Sequence, residues 1–280
     1  MKIIVAKNSG FCFGVRRAIN LAINLSEKVG RVYTIGPIIH NPQVVEELFK
    51  DGIIAARNHL TEIKGKNVVI RAHGIPLDVL NYLCSKKMKI LDATCPYVTR
   101  SKSYAEELMR DGYTVAIIGN PDHPEIKYIH SYVPGNSIIL KSPEDVKKIK
   151  FLKKIGVITQ TTQSPENFIE ITKKLLHCSN EFKIFNTICP DAIKRQKETE
   201  ELSAKSDLMI IIGGKNSANT QRLAVISRKK LSETHHIETA GELKKHWFRG
   251  VKTVGIVTGA STPDKSIKDV VDTLKKFGLQ

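Results

Sequence analysis

Three cysteines divide this 280-residue chain into matching parts. Cys12, Cys95 and Cys189 each close a short apolar run, KIIVAKNSGFC, KMKILDATC and EFKIFNTIC, and a glycine stands 24 residues beyond each of them, at Gly36, Gly119 and Gly213. An interval that recurs three times marks an internal repeat, so one supersecondary unit has to serve all three parts. Three thiols at one repeat position can meet at a pseudo-threefold axis, where a thiolate cluster would make a metal or iron–sulfur site.

The repeat extends past the cysteines. Each apolar run reads as a strand, and each cysteine is followed by a helix-like stretch: VRRAINLAINLSEKVG, VTRSKSYAEELMRDG and AIKRQKETEELSAKSD. A second strand then delivers a polar loop in VYTIGPIIHNP, TVAIIGNPDHPE and LMIIIGGKNSAN. Four residues past the glycines stand His40, His123 and Ser217, and six past them Pro42, Glu125 and Asn219.

A third strand repeats the arrangement in NVVIRAHGIP, KIGVITQTTQSP and KTVGIVTGASTP, each followed by an amphipathic stretch. Aligned on Pro76, Pro165 and Pro263, these loops carry His73, then Thr161 and Thr162, then Ser261. The alternation predicts an α/β fold whose polar loops lie at the C-terminal ends of strands, the place where open α/β sheets bind ligands. Imidazoles, hydroxyls and backbone N–H groups at helix N-termini suit an anion, phosphate above all.

The chain ends before a third repeat reaches a strand and cysteine of its own, whereas the first repeat begins with one. The N-terminal strand is therefore expected to complete the last unit, giving units at 13–95, 96–189 and 190–280 plus 1–12. At roughly 100 residues or fewer they are small for independent domains and should fold as one body. No apolar run of about 18 residues suggests a membrane span, and the opening residues read as a strand, with no targeting segment expected. Five widely spaced cysteines do not form a disulfide framework, which favours a reducing cytoplasm.

The formal net charge is +16. Solvated lysine-rich faces explain part of it; the rest points to an anionic substrate or an acidic partner. Nucleic acid is not expected, since the chain has no aromatic-plus-basic motif, no zinc-finger spacing and a single Trp.

Nine segments in order, GFCFGVRRA, GPIIHNPQ, RAHGIP, DATCPYV, NPDHPE, TQTTQS, NTICP, GGKNSANT and GASTPD, span residues 10 to 264 and closely resemble the IspH (LytB) family of 4-hydroxy-3-methylbut-2-enyl diphosphate reductases. The resemblance implies a three-lobed α/β cloverleaf around a central iron–sulfur site. It further implies a [4Fe–4S] cluster with Cys12, Cys95 and Cys189 as ligands and one open iron, and an allylic diphosphate substrate dehydroxylated to isopentenyl and dimethylallyl diphosphate. By motif match Glu125 delivers protons with Thr161 as its relay, His123 lies closest to the hydroxyl end, and His40, His73, His123, Thr161, Ser217, Asn219 and Ser261 bind substrate. With no second cluster motif and no flavin fingerprint, electrons are expected from an external donor such as a ferredoxin or flavodoxin. The sequence departs from the family pattern at Ala218, where a second serine is common, and at Pro190-Asp191 after Cys189.

Other readings use the same residues. Cys84 and Cys178 are expected to be small buried hydrophobes, and His59, His130, His177, His235, His236 and His246 to be structural or merely exposed. Glu125 could be an ordinary helix N-terminal carboxylate, and the Thr159 to Ser164 run a simple helix cap. A quinolinate-synthase-like three-lobed iron–sulfur enzyme, a zinc protein with three cysteines and one histidine, and a non-catalytic basic scaffold are the alternatives. The HPE and TQTT segments argue against the first, the absence of short-range cysteine pairs against the second, and a carboxylate grouped with histidines and thiols against the third.

Overall fold

The computed structural model describes residues 1–39, 41–56 and 60–277. His40 and His59 therefore lie outside the described residues. All pairings among the described strands are parallel, and the strands form three four-stranded sheets of one design.

In the first sheet, β2 (Val32–Ile35), β3 (Ile53–Ala56), β4 (Asn67–Ile70) and β5 (Lys89–Asp92) run in the order β3-β2-β4-β5. The second repeats it with β6 (Thr114–Ile118), β7 (Ser137–Leu140), β8 (Leu152–Thr159) and β9 (Ser179–Ile184) in the order β7-β6-β8-β9. The third has β10 (Leu208–Ile212), β11 (Thr234–Ile237), β12 (Thr253–Thr258) and β1 (Lys2–Val5) in the order β11-β10-β12-β1. The N-terminal strand thus pairs with the last one, in a register that sets Lys2 against Thr253 and Val5 against Ile256. One strand per sheet, β3, β7 or β11, was not anticipated from the sequence.

The central strands are mostly apolar because both sheet faces are covered, as parallel sheets require. All five residues of β10, LMIII, are buried, and each buried Ile or Leu side chain contributes about 1.5–3 kcal/mol over leaving it in water. The covering helices include α1 (Phe13–Val29), α2 (Pro42–Lys50), α3 (Leu77–Ser85), α4 (Pro96–Arg110), α5 (Pro124–Ser131), α6 (Pro165–Leu175), α7 (Pro190–Ser203), α8 (Ala218–Lys230) and α9 (Asp264–Lys276). No helix among the described residues is long and apolar enough to cross a membrane.

By internal packing the chain forms two compact units. One comprises Met1–Arg16, Ile39–Glu46 and Pro190–Gln280 and contains the third sheet; the other comprises Arg17–Ile38 and Glu47–Cys189 and contains the first two.

Candidate active site

The cysteines sit not at strand ends, as the apolar runs suggested, but beyond them. The strands stop at Val5, Asp92 and Ile184, and each cysteine follows a short turn and immediately precedes a helix: α1, α4 or α7. In two repeats an Asx turn makes that connection: Asp92 Oδ1 accepts from the Thr94 N–H at 2.8 Å, and Asn186 Oδ1 from the Ile188 N–H at 3.1 Å. A helix N-terminus favours a negatively charged group, which here would be a thiolate.

One backbone bond is common to all three repeats. The amide of Cys12 donates to Ala260 O at 3.0 Å, that of Cys95 to Ala72 O at 2.9 Å and that of Cys189 to Thr161 O at 2.8 Å. Each acceptor lies in the loop after the neighbouring strand, so every cysteine is fixed against the loop that carries Ser261, His73 or Thr161. The glycines match as well: Gly36, Gly119 and Gly213 donate to Ala56 O, Leu140 O and Ile237 O at 2.8, 2.9 and 2.9 Å.

Cys12, Cys95 and Cys189 are in no disulfide, and each is half-buried. Cys12 Sγ accepts from the Val15 N–H at 3.4 Å, and burial pushes its thiol pKa up. Among the described residues no three His, Cys, Asp or Glu side chains form a ready-made cage; Cys12 belongs to one compact unit, Cys95 and Cys189 to the other. The donor set still fits iron–sulfur chemistry, because it consists of three unoxidised thiols in three equivalent helix-start positions. Cys178 packs partly buried on the second sheet's core, whereas Cys84 is exposed on α3, contrary to the expectation of a buried hydrophobe.

In the second sheet the loops after β6 and β8 meet. Glu125 is 1% exposed, and its carboxylate is gripped by one residue: Oε1 accepts from the Thr161 N–H and Oε2 from the Thr161 Oγ1–H, both at 2.7 Å. Burial raises its pKa to about 7, outweighing the two hydrogen bonds, which favour the ionised form. His123 caps α5 by accepting the Glu125 N–H on Nδ1 at 3.2 Å. With Nδ1 an acceptor, the neutral ring carries its proton on Nε2. The His123 and His73 rings lie edge to face with centroids 5.3 Å apart.

The run from Thr159 to Ser164 has several duties. Ser164 caps α6, and Gln160 ties the two loops together by accepting the Asn120 N–H at 3.1 Å. Thr159 and Thr187 are bonded both ways: the Thr159 N–H donates to Thr187 Oγ1 at 2.8 Å, and that hydroxyl to Thr159 O at 2.5 Å. The reciprocal pair anchors the segment leading to Cys189.

In the third sheet Ser217 caps α8, accepting the Thr220 N–H at 3.3 Å. Asn219 and Ser261, each at least 93% buried, hold polar atoms, Nδ2 and Oγ, that have no hydrogen-bond partner among the described residues. Buried polar groups are nearly always satisfied, so two orphans beyond the C-terminal ends of adjacent strands, one at the start of α8 and one in a loop, are donors suited to a ligand.

The LytB protein family model matches residues 3–275. The chain belongs to this family. A 4-hydroxy-3-methylbut-2-enyl diphosphate reductase of Geobacter sulfurreducens is 42% identical over 277 residues, covering 99% of this chain and 98% of that protein. The solved structure of (E)-4-hydroxy-3-methyl-but-2-enyl diphosphate reductase, the terminal enzyme of the non-mevalonate pathway, is 43% identical with a TM-score of 0.72, covering 99% of this chain and 100% of that one. That of the E-1-hydroxy-2-methyl-but-2-enyl-4-diphosphate reductase from Plasmodium falciparum is 26% identical with a TM-score of 0.92, covering 98% and 88%.

A buried group that none of the LytB-like segments contains lies near Cys12. Arg195 of α7, 3% exposed, donates from Nε to Asp191 Oδ2 at 2.7 Å, from Nη1 to Thr258 O at 3.2 Å and from Nη2 to Gly10 O at 3.0 Å. Glu198, one turn further along α7, accepts from the backbone N–H groups of Lys7 and Asn8. The segment leading into Cys12 is therefore held against α7, and Asp191, one of the departures from the family pattern, serves as the partner of a buried guanidinium. Ala218 is the first residue of α8, so its missing hydroxyl leaves the Ser217 cap intact.

Proposed function

We infer that this chain is a 4-hydroxy-3-methylbut-2-enyl diphosphate reductase, an oxidoreductase that removes the allylic hydroxyl of its substrate in the last step of the methylerythritol phosphate route to isoprenoids. The reaction consumes two electrons and two protons: the C–O bond breaks, one proton leaves with the hydroxyl as water, and one is delivered to carbon, giving isopentenyl or dimethylallyl diphosphate. Full-length family membership carries the reaction, and the sealed Glu125–Thr161 pair is the observation that best supports the site.

Cys12, Cys95 and Cys189 are proposed to hold a [4Fe–4S] cluster with one iron free of protein ligands. When bound, it would supply electrons and a Lewis-acidic position for the hydroxyl oxygen. Glu125 is the proton carrier: with a pKa of about 7 its carboxyl holds a proton at neutral pH and can release it. Thr161, bonded to both carboxyl oxygens, orients it and relays the proton through Oγ1. His123, with a proton on Nε2, is assigned to the hydroxyl end.

His73 and His40 with Ser217, Asn219 and Ser261 are assigned to the diphosphate, the last two through the buried atoms that lack partners. The division into units 13–95, 96–189 and 190–280 plus 1–12, the cloverleaf arrangement and a cytoplasmic location belong to the same reading. The external donor is an acidic ferredoxin or flavodoxin, drawn by the net charge of +16 with a steering that weakens as salt rises.

The test is turnover of 4-hydroxy-3-methylbut-2-enyl diphosphate by anaerobically purified, iron-analysed protein with a strong artificial reductant. Both five-carbon diphosphates should form, and Cys95→Ser should abolish both iron loading and product. A fully iron-loaded protein that leaves this substrate untouched would overturn the reductase reading.

A further inference from the structure

Arg71 directly follows β4, at the strand end where the His73 loop begins. It is half-buried, its Nε is sealed from solvent, and that Nε has no hydrogen-bond partner among the described residues. Burial pulls the guanidinium below its usual range, and no carboxylate among the described residues offsets the effect. Arginine stays protonated under such pressure, so a half-buried cation is left with no compensating carboxylate among the described residues. A charge left in that state destabilises a fold, and removing it is neutral or favourable unless something anionic completes the pair.

The surroundings are built to receive this group. Gly36 ends the loop side of β2, next to β4, and a Cβ there would stand 2.7 Å from Arg71 Nη1. With φ at +72° as well, the position accepts glycine and little else. The guanidinium consequently lies across the C-terminal ends of two neighbouring parallel strands, where sheets of this kind take their ligands. The Arg71 carbonyl also accepts the Gly74 N–H at 3.0 Å, which closes the turn that carries His73.

We propose that Arg71 is a substrate-binding residue, its guanidinium fork pairing with phosphate oxygens of the diphosphate beside the His73 loop. The assignment rests on the reading of this site as a diphosphate site, and planar bidentate recognition of phosphate is the task arginine performs better than lysine. Arg71 opens the RAHGIP segment, but the repeat does not single it out, because the other two repeats carry Gln160 and Gly259 immediately after the equivalent strands.

The test compares wild-type, Arg71→Met and Arg71→Lys holoenzymes by steady-state kinetics, and by thermal unfolding with and without inorganic pyrophosphate. Losing a charged hydrogen bond to the substrate should raise KM about 10- to 100-fold in Arg71→Met with kcat changed by less than about threefold, and Arg71→Lys should fall between. Without anion the Tm of Arg71→Met should equal or exceed that of wild type, and pyrophosphate should raise the wild-type Tm but not the variant's. A purely structural arginine gives the opposite pattern, a lower Tm with KM unchanged, and that result overturns the proposal. Should Arg71→Met fail to accumulate, Arg71→Gln is read by the same criteria. If wild type does not turn over the allylic diphosphate yet shows an Arg71-dependent pyrophosphate shift, the reductase reading fails and the anion site stands. If turnover is normal and pyrophosphate shifts both proteins equally, the reductase reading stands and Arg71 is no ligand.

Discussion

Replacing Glu125 with glutamine separates the proton from the shape of the site. The glutamine carbonyl can accept the Thr161 N–H, and its amide can donate to Thr161 Oγ1, so the two 2.7 Å contacts of the wild-type carboxylate both have successors. What the variant loses is the capacity to titrate. A carboxyl with a pKa of 4.5 in the unfolded chain and about 7 in the fold binds its proton more tightly in the folded state by about 3 kcal/mol.

The sign follows from which state holds more protons. Between pH 4.5 and 7 the folded protein does, so the stability conferred by this group is fully present below 4.5, declines through that window and is gone above 7. Glu125→Gln lacks that decline. Anaerobic urea unfolding at several pH values should show the variant gaining on wild type by about 3 kcal/mol between pH 4.5 and 8. Turnover should fall by about 10²–10⁴-fold, the usual contribution of a positioned general acid, with iron content and pyrophosphate binding unchanged. Parallel stability curves would refute the burial argument, and wild-type-like turnover would remove Glu125 from the proton path.

Two further outcomes follow from local geometry. Asn219→Ala and Ser261→Ala remove buried polar atoms that have no partner among the described residues, so thermal unfolding should change by less than about 1 kcal/mol while KM for the diphosphate rises about tenfold. Gly74→Ala places a methyl 2.6–2.8 Å from Tyr128 ring atoms at a φ of +74°. It should cost about 2–3 kcal/mol in urea unfolding through overpacking and left-handed strain, a loss of under about 1 kcal/mol being the result that contradicts this.

The sequence made the repeat legible because its markers are rare residue types at a fixed interval. Cysteine, glycine and proline each meet a geometric demand that other residues meet poorly, and the matching amide bonds of Cys12, Cys95 and Cys189 show that the interval reflects one backbone frame. The strands β3, β7 and β11 escaped because four residues such as IIAA or THHI carry no resolvable period. The cysteine-bearing runs looked like strands to their last residue because the turns in between are written in Asp, Asn, Thr and Ser, and those residues declare an Asx turn only once the chain is folded. Nothing in the sequence marks Arg195, and Arg71 is set apart only as the first residue of RAHGIP. Burial is a property of tertiary packing, and no local pattern distinguishes a buried arginine from a solvated one.

Thr161 explains why the proposed proton carrier, Glu125, belongs to the second repeat. In the first and third repeats the equivalent carbonyls, Ala72 O and Ala260 O, come from residues whose side chains end at a methyl group, so the loop can do no more than fix its cysteine. In the second repeat the same frame position has a hydroxyl. Thr161 O holds the amide of Cys189, while Thr161 N and Oγ1 hold both oxygens of Glu125. A single residue therefore couples the position of a thiol to that of a carboxyl whose burial has already raised its pKa. Had the acid arisen at Asn219, the matching place in the third repeat, no such grip would be available there, and the amide found at that position instead offers an unfilled donor, Nδ2. The threefold frame thus supplies the same backbone geometry three times, and of the three residues whose carbonyls hold a cysteine amide only Thr161 also has a hydroxyl with which to grip a carboxyl.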